Sequence, residues 1–142
     1  MRIVVDTNTV LSGLLWQGPP RRLLDLARLG TFTLCTSPTL LAEFAEVVAR
    51  DKFVHRVSAA GLSPLEFVQD YERLADIVDP QPLAAPACRD PDDDHVLACA
   101  LTAQANLIVS RDKDLLVLHP YHGIEIVPAA TAVQRLESKS GR

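Results

Sequence analysis

The sequence predicts an α/β fold: a three-layer α/β/α sandwich whose central sheet is mostly parallel and covered by helices on both faces. Three observations carry this. Short β-prone runs alternate along the chain with helical patterns, and that alternation builds parallel sheets with helical crossovers. Two of the runs, Ile3-Val4-Val5 and Leu107-Ile108-Val109, are apolar without interruption, as strands buried on both faces are. The length of 142 residues, with 48% hydrophobic, fits one domain with a sizeable core.

Arg2 to Asp6 reads as the first strand, and Asn8 to Trp16 as a helix or turn after it. Gly18-Pro19-Pro20 reads as a break. Leu23, Leu24, Leu26 and Ala27 give Arg21 to Leu29 a helical pattern, with Gly30 as its stop. Thr31 to Cys35 alternates and is β-prone, a second strand. Ser37-Pro38 reads as an N-cap followed by Pro at the first helical position, opening a helix to about Arg50. Ser63-Pro64-Leu65-Glu66 fits a capping box for a helix to about Asp76. Ile77–Val78 is a short strand, followed by a proline-rich loop to Arg89. Asp92 or Asp93 is expected to cap the next helix, to about Ala105. Leu107 to Ser110 is a strand, Asp112 to Leu116 a helical turn, Ile124 to Val127 the last strand and Ala129 to Leu136 the last helix. Residues 1–137 are read as a single domain and 138–142 as a polar tail, with no internal repeat.

Composition excludes several classes. No apolar run approaches the roughly 18–20 residues of a membrane span. One Arg followed by Ile-Val-Val-Asp argues against a signal peptide. Cys35, Cys88 and Cys99 are an odd set without CxxC spacing, which fits small buried hydrophobes in a reducing cytoplasm. The net charge is −4, so the basic footprint of a passive nucleic-acid binder is missing. A metal-dependent nuclease stays compatible, because an acidic cluster adds negative charge that bound metals offset locally.

The acids are the informative residues. Asp6 ends the first apolar run and Asp112 follows the second. In parallel sheets, ligands bind beyond the carboxyl ends of the strands, so both acids are expected near one site. Glu43 shares a helical stripe with Leu40 and Val47, while Glu46 is expected in solvent. Periodicity alone leaves open whether Glu43 turns inward or lies at the stripe's margin. Asp94 shares a face with Leu97, Ala98 and Leu101, whereas Asp92 and Asp93 are accounted for by compensation of the helix dipole. Asp112 and Asp114, led by Ser110 and Arg111, are each also ordinary turn residues.

Buried, converging carboxylates cost several kcal/mol unless a cation compensates, and carboxylate ligands suit Mg²⁺ or Mn²⁺. A calcium loop over Asp90-Pro91-Asp92-Asp93-Asp94 fails, because His95 and Leu101 stand where Gly and Glu are required. His55, His95, His119 and His122 show no metal-ligand spacing and are read as surface or core.

These residues together are where a family becomes recognisable. Asp6-Thr7-Asn8 followed by Val10 to Leu15, Ser37-Pro38 leading to Glu43, Asp90 to Asp94 ahead of Ala98 and Ala100, and Ser110-Arg111-Asp112-Lys113-Asp114-Leu115-Leu116 resemble a PIN domain. The likeness is to the toxin type of bacterial and archaeal toxin–antitoxin pairs, in the family's order over nearly the whole chain. The resemblance implies a Mg²⁺- or Mn²⁺-dependent ribonuclease with Asp6, Glu43, Asp94 and Asp112 as metal-binding acids, Asp6 and Asp94 chief among them. It makes Asp114 an accessory ligand, with Asn8 and Ser110 in support. Arg111 departs from a frequent Gly and could bring a cation to the phosphate. With Lys113, Arg50, Lys52, His55 and Arg56 it forms the candidate RNA-binding set. A small antitoxin is the implied partner, with Leu14, Leu15, Trp16 and the helices between Ser37 and Asp76 as candidate contacts, and a homodimer is plausible. Two rival readings fit less well. A catalytically silent interaction module is disfavoured by the intact acids. A Mg²⁺-dependent phosphatase with Asp-x-Asp after its first strand is disfavoured by Asn8.

Overall fold

A computed structural model describes residues 1–140, with side chains to residue 138. Five parallel strands form one sheet: β1 (Arg2–Val5), β2 (Thr33–Thr36), β3 (Asp76–Ile77), β4 (Leu107–Val109) and β5 (Glu125–Val127), in the order β3-β2-β1-β4-β5. The register sets Ile3 opposite Leu34 and Leu107, and Val5 opposite Val109.

Strand alternation sorts the apolar side chains into two layers. Ile3, Val5, Leu34, Leu107, Val109 and Val127 point into one core, and Val4, Cys35, Ile108 and Ile126 into the other. The first core is covered by α1 (Thr7–Leu15), α2 (Pro19–Arg28), α3 (Pro38–Val48), α4 (Val54–Ala59), α5 (Pro64–Leu74) and α8 (Ala129–Ser140). The second is covered mainly by α6 (Pro91–Ala103) and α7 (Lys113–Leu116). The fold is thus the expected parallel α/β sandwich.

Local chemistry explains most boundaries. Ser37 caps α3 by accepting from the Leu40 amide at 3.2 Å. Ser63 and Glu66 close a reciprocal capping box on α5. Three expectations need correcting. Gly18-Pro19-Pro20 starts α2 rather than breaking the chain, since prolines at the first helical positions lack only amides that would have no partner anyway. Asp90, not Asp92 or Asp93, caps α6, accepting from the Asp92 amide at 2.9 Å with Pro91 at the first helical position. The 3-10 turn Asp51–Phe53 and α4 were not anticipated; neither has a side-chain cap to announce it. In addition, α8 runs on through residues 138–140 of the expected tail, and residues 141–142 lie outside the described residues.

Gly13 marks a close contact between α1 and α2. A Cβ there would lie 2.7 Å from the Pro20 carbonyl oxygen and 2.7 Å from Leu24 Cδ1. The backbone of α2 cannot yield as a side chain can, so Gly13→Ala is expected to destabilise the fold by about 1–3 kcal/mol. Denaturant unfolding checks this, and an unchanged midpoint would show that the two helices slide apart freely. Among the described residues, no helix is long and apolar enough to cross a membrane.

Candidate metal centre

The strand order reverses between β1 and β4, since chain order runs outward from β1 to β3 on one side and from β4 to β5 on the other. In open parallel sheets this is where a crevice forms past the carboxyl ends. Asp6 leaves β1 at that point, and Ser110 and Asp112 leave β4 beside it.

Asp6 is the N-cap of α1 and only 9% exposed. Its Oδ1 accepts from the Thr9 amide at 2.9 Å and its Oδ2 from the Ser110 hydroxyl at 2.5 Å. Ser110 is fully buried, and its Oγ also accepts from the Asp112 amide at 2.9 Å. One hydroxyl thus ties the two strand-end acids together. Asp112 in turn caps α7, accepting from the Asp114 amide at 2.8 Å. Burial pushes the Asp6 carboxyl up from its ordinary value, and these donors pull it partly back.

The acid of α6 that the structure brings to Asp112 and Asp114 is Asp93, not Asp94. Asp93 is 9% exposed and offers an oxygen that lies within 4.8 Å of oxygens from Asp112 and Asp114. Asp94 is spent on the loop before it, its Oδ1 accepting from the Ala87 and Cys88 amides at 3.1 and 2.8 Å. The structure therefore sets Asp93, one residue before the expected Asp94, beside Asp112, and the reason is physical. Helix α6 is apolar almost all round, with Val96, Leu97, Ala98, Cys99 and Ala100 all buried, so its hydrophobic pattern selects no single face. Asp93 shares its face with Val96, Leu97 and Ala100, the more completely buried choice.

Glu43 turns inward. It lines a cleft of about 500 Å³ with Asn8, Asp90, Asp92, Asp93, His95 and Asp112, and Arg50 at the margin. Burial raises its carboxyl, the Thr7 hydroxyl beside it pulls it back, and the charges of Asp92 and Asp90 add to the rise. Asp93 is pushed up to about 7, first by burial and then by the charge of Asp112 and its hydrogen bond to it. Glu43 Oε2 and Asp93 Oδ2 are buried with no hydrogen-bond partner among the described residues.

A second cleft, of about 380 Å³, is lined by Asp6, Asn8, Thr9, Ser12, Arg111 and Asp112. Asn8 and Asp112 therefore face both. Arg89, not anticipated, straddles Asp114 with Nη2 at 3.2 and 3.3 Å from its two oxygens. His95, whose spacing gives no metal-ligand signal, stands on the cleft wall with Nδ1 3.9 Å from Asp92 Oδ1. Lys113 is exposed in the first turn of α7. Lys52 does not line the cleft; its ammonium lies above the Phe53 ring. Arg56 donates from Nε to the Leu15 carbonyl at 2.8 Å.

The donor set fits a hard divalent cation. It offers carboxylate oxygens only, two of them buried without donors, and their raised affinity for protons is what a missing positive charge produces. Asp6, Glu43, Asp93 and Asp112 would surround the ion, with Asp114 shared with Arg89. Ser110→Ala should then weaken Mn²⁺ binding about 10- to 100-fold, the usual effect of losing a group that orients a ligand. Calorimetry measures it, and unchanged affinity would show that the hydroxyl bridge does not orient Asp6.

A PIN domain family model matches residues 2–114. No match is found among curated proteins. Among solved structures, the chain is similar to the crystal structure of VapBC2 from Rickettsia felis bound to a DNA fragment from their promoter, with a TM-score of 0.58 and 14% identity over 89% of this chain and 97% of that chain. At that identity the likeness is one of fold.

Proposed function

Because this chain belongs to the PIN domain family, we propose that it is a Mg²⁺- or Mn²⁺-dependent endoribonuclease acting as the toxin of a toxin–antitoxin pair. The observation that carries the chemistry is the pair of buried, donorless carboxylate oxygens on Glu43 and Asp93, facing one cleft with Asp112. A divalent ion bound there supplies Lewis-acid activation of water for in-line phosphodiester hydrolysis. The ligand set proposed is Asp6, Glu43, Asp93 and Asp112, with Asp93 in the place first expected of Asp94.

The chain's own groups have distinct tasks. Thr9 and Ser110 fix the Asp6 carboxylate from both oxygens, leaving its orientation no freedom. Arg89 neutralises Asp114, so that acid adds less repulsion to the cluster. Arg111, beside Asp6 in the second cleft, is placed to meet a phosphate. Lys113, Arg50 and Lys52 extend the cationic contacts along the strand. None of these roles calls for a nucleophilic Cys or His.

The neighbouring structure pairs two proteins under the name VapBC2, and by analogy this chain is proposed to bind a small antitoxin and to pair with itself. Its setting is proposed as cytoplasmic, in keeping with three free cysteines. The test is cleavage of single-stranded RNA with Mn²⁺, against EDTA and against Asp6→Asn. Cleavage should need the metal and fall at least about a hundredfold in the variant. Cleavage that persists in EDTA or in Asp6→Asn would sink the reading, and equal cleavage of single-stranded DNA would reassign the substrate.

A further inference from the structure

We infer that Trp16 and Phe53, with the cations around them, form a stacking platform for single-stranded RNA at the far end of the acidic cleft. This rests on the nuclease reading and deepens it by stating where the strand runs. Trp16 caps the C-terminus of α1 and is 41% exposed, unusual for the only tryptophan in the chain. The Phe53 ring meets it edge-on, centroids 6.3 Å apart at 67°.

Cations frame both rings. The Arg56 guanidinium lies 5.6 Å from the Trp16 centroid and is held there by its bond to the Leu15 carbonyl. Lys52 Nζ lies 5.1 Å from the Phe53 centroid. In a chain of net charge −4, this is a local reversal of sign. Each ring carries a cation over it, Trp16 is the exposed one and Phe53 is half-buried behind it; such a cation-topped aromatic suits single strands, because bases stack without regard to sequence while cations follow the backbone. The cations favour an anionic occupant over an apolar one, and of the two partners proposed for this surface, antitoxin and RNA, the RNA strand is the one whose every residue carries both a ring to stack and a phosphate to pair.

Arg50 links the platform to the acids. Glu43, Glu46 and Val47 of α3 and Arg50, two residues past its end, all line the cleft. Arg50 also opens the turn that carries Lys52 and Phe53, its carbonyl accepting from the Phe53 amide at 2.9 Å. Its contact with Glu46, at 3.4 Å, joins two exposed side chains and yields easily to a phosphate.

Trp16 provides its own readout. The protein is titrated in EDTA with oligouridylate, so that binding is measured without metal-dependent cleavage. Saturable quenching of tryptophan fluorescence is expected. Lys52→Gln should reduce the slope of log affinity against log salt by about 0.7. Trp16→Leu should weaken binding of an end-labelled oligouridylate, followed by anisotropy, about tenfold or more, with Trp16→Phe restoring most of it. No quenching, affinity unchanged in Trp16→Leu, or a fluorescence response to an apolar peptide but not to RNA would each overturn the platform. Cleavage without quenching would remove the platform and leave the nuclease. Quenching without cleavage would do the reverse.

Discussion

Asp93→Asn is expected to reduce Mn²⁺-dependent RNA cleavage at least about a hundredfold, while Asp94→Asn leaves it within a few-fold of the parent. The two residues are neighbours, carry the same charge and occupy the same first helical turn, so any general effect of acidity or helix dipole would treat them alike. Their surroundings differ. Asp93 is buried, lies with Asp112 and Asp114, and has an oxygen with no donor. Asp94 gives its Oδ1 to two loop amides, and Asn at that position still offers an oxygen. Asp94→Ala removes the acceptor and should cost about 1–3 kcal/mol of stability through those amides, with metal affinity measured by calorimetry nearly unchanged. The reverse outcome, an inactive Asp94→Asn and an active Asp93→Asn, would return the site to the arrangement first expected.

Without metal, thermal stability should fall as pH rises from about 4 to about 7. Asp93 has a folded-state pKa near 7 against an ordinary 3.8, and burial raises Asp6 and Glu43 in the same direction. A carboxyl held above its unfolded value binds protons more tightly when folded. Its contribution to stability is complete below the unfolded pKa and is lost as pH climbs through the folded one. After discounting for solvent at the cleft mouth, the change expected is about 1–3 kcal/mol, or roughly 3–10 °C for a domain of this size. Asp93→Asn should flatten most of the slope. Mn²⁺ acts in the opposite sense, because it competes with protons for the same oxygens, and its stabilisation should grow over the same pH window. Melting curves at pH 5 and 8, with Mn²⁺ and with EDTA, decide the matter. A metal-free midpoint that is flat or rises between those values would show that the carboxylates are neither desolvated nor crowded.

How much was legible beforehand varies with the physics behind each feature. The strands at Ile3-Val4-Val5 and Leu107-Ile108-Val109 announced themselves because burial on both faces demands continuous apolar residues. Ser37-Pro38 and Ser63 through Glu66 announced their helices because amides at helix starts need acceptors that the sequence supplies nearby. Helix α4 gave no such notice: it is six residues long and has no side-chain cap. The phase of α6 was ambiguous because both faces are apolar, and only the position of β4 and α7 shows which acid meets Asp112.

Periodicity and capping within short stretches of chain were enough to show the alternation of strands and helices, the parallel sheet and the placement of Asp6 and Asp112 at strand ends. The tertiary structure decided which side chains converge. It put Ser110 between Asp6 and Asp112, selected Asp93 over Asp94, turned Glu43 into the cleft, set Arg89 on Asp114 and brought Trp16 to Phe53. Each of these depends on distances between residues remote in sequence, set by strand order and helix packing, and local pattern holds no information about them.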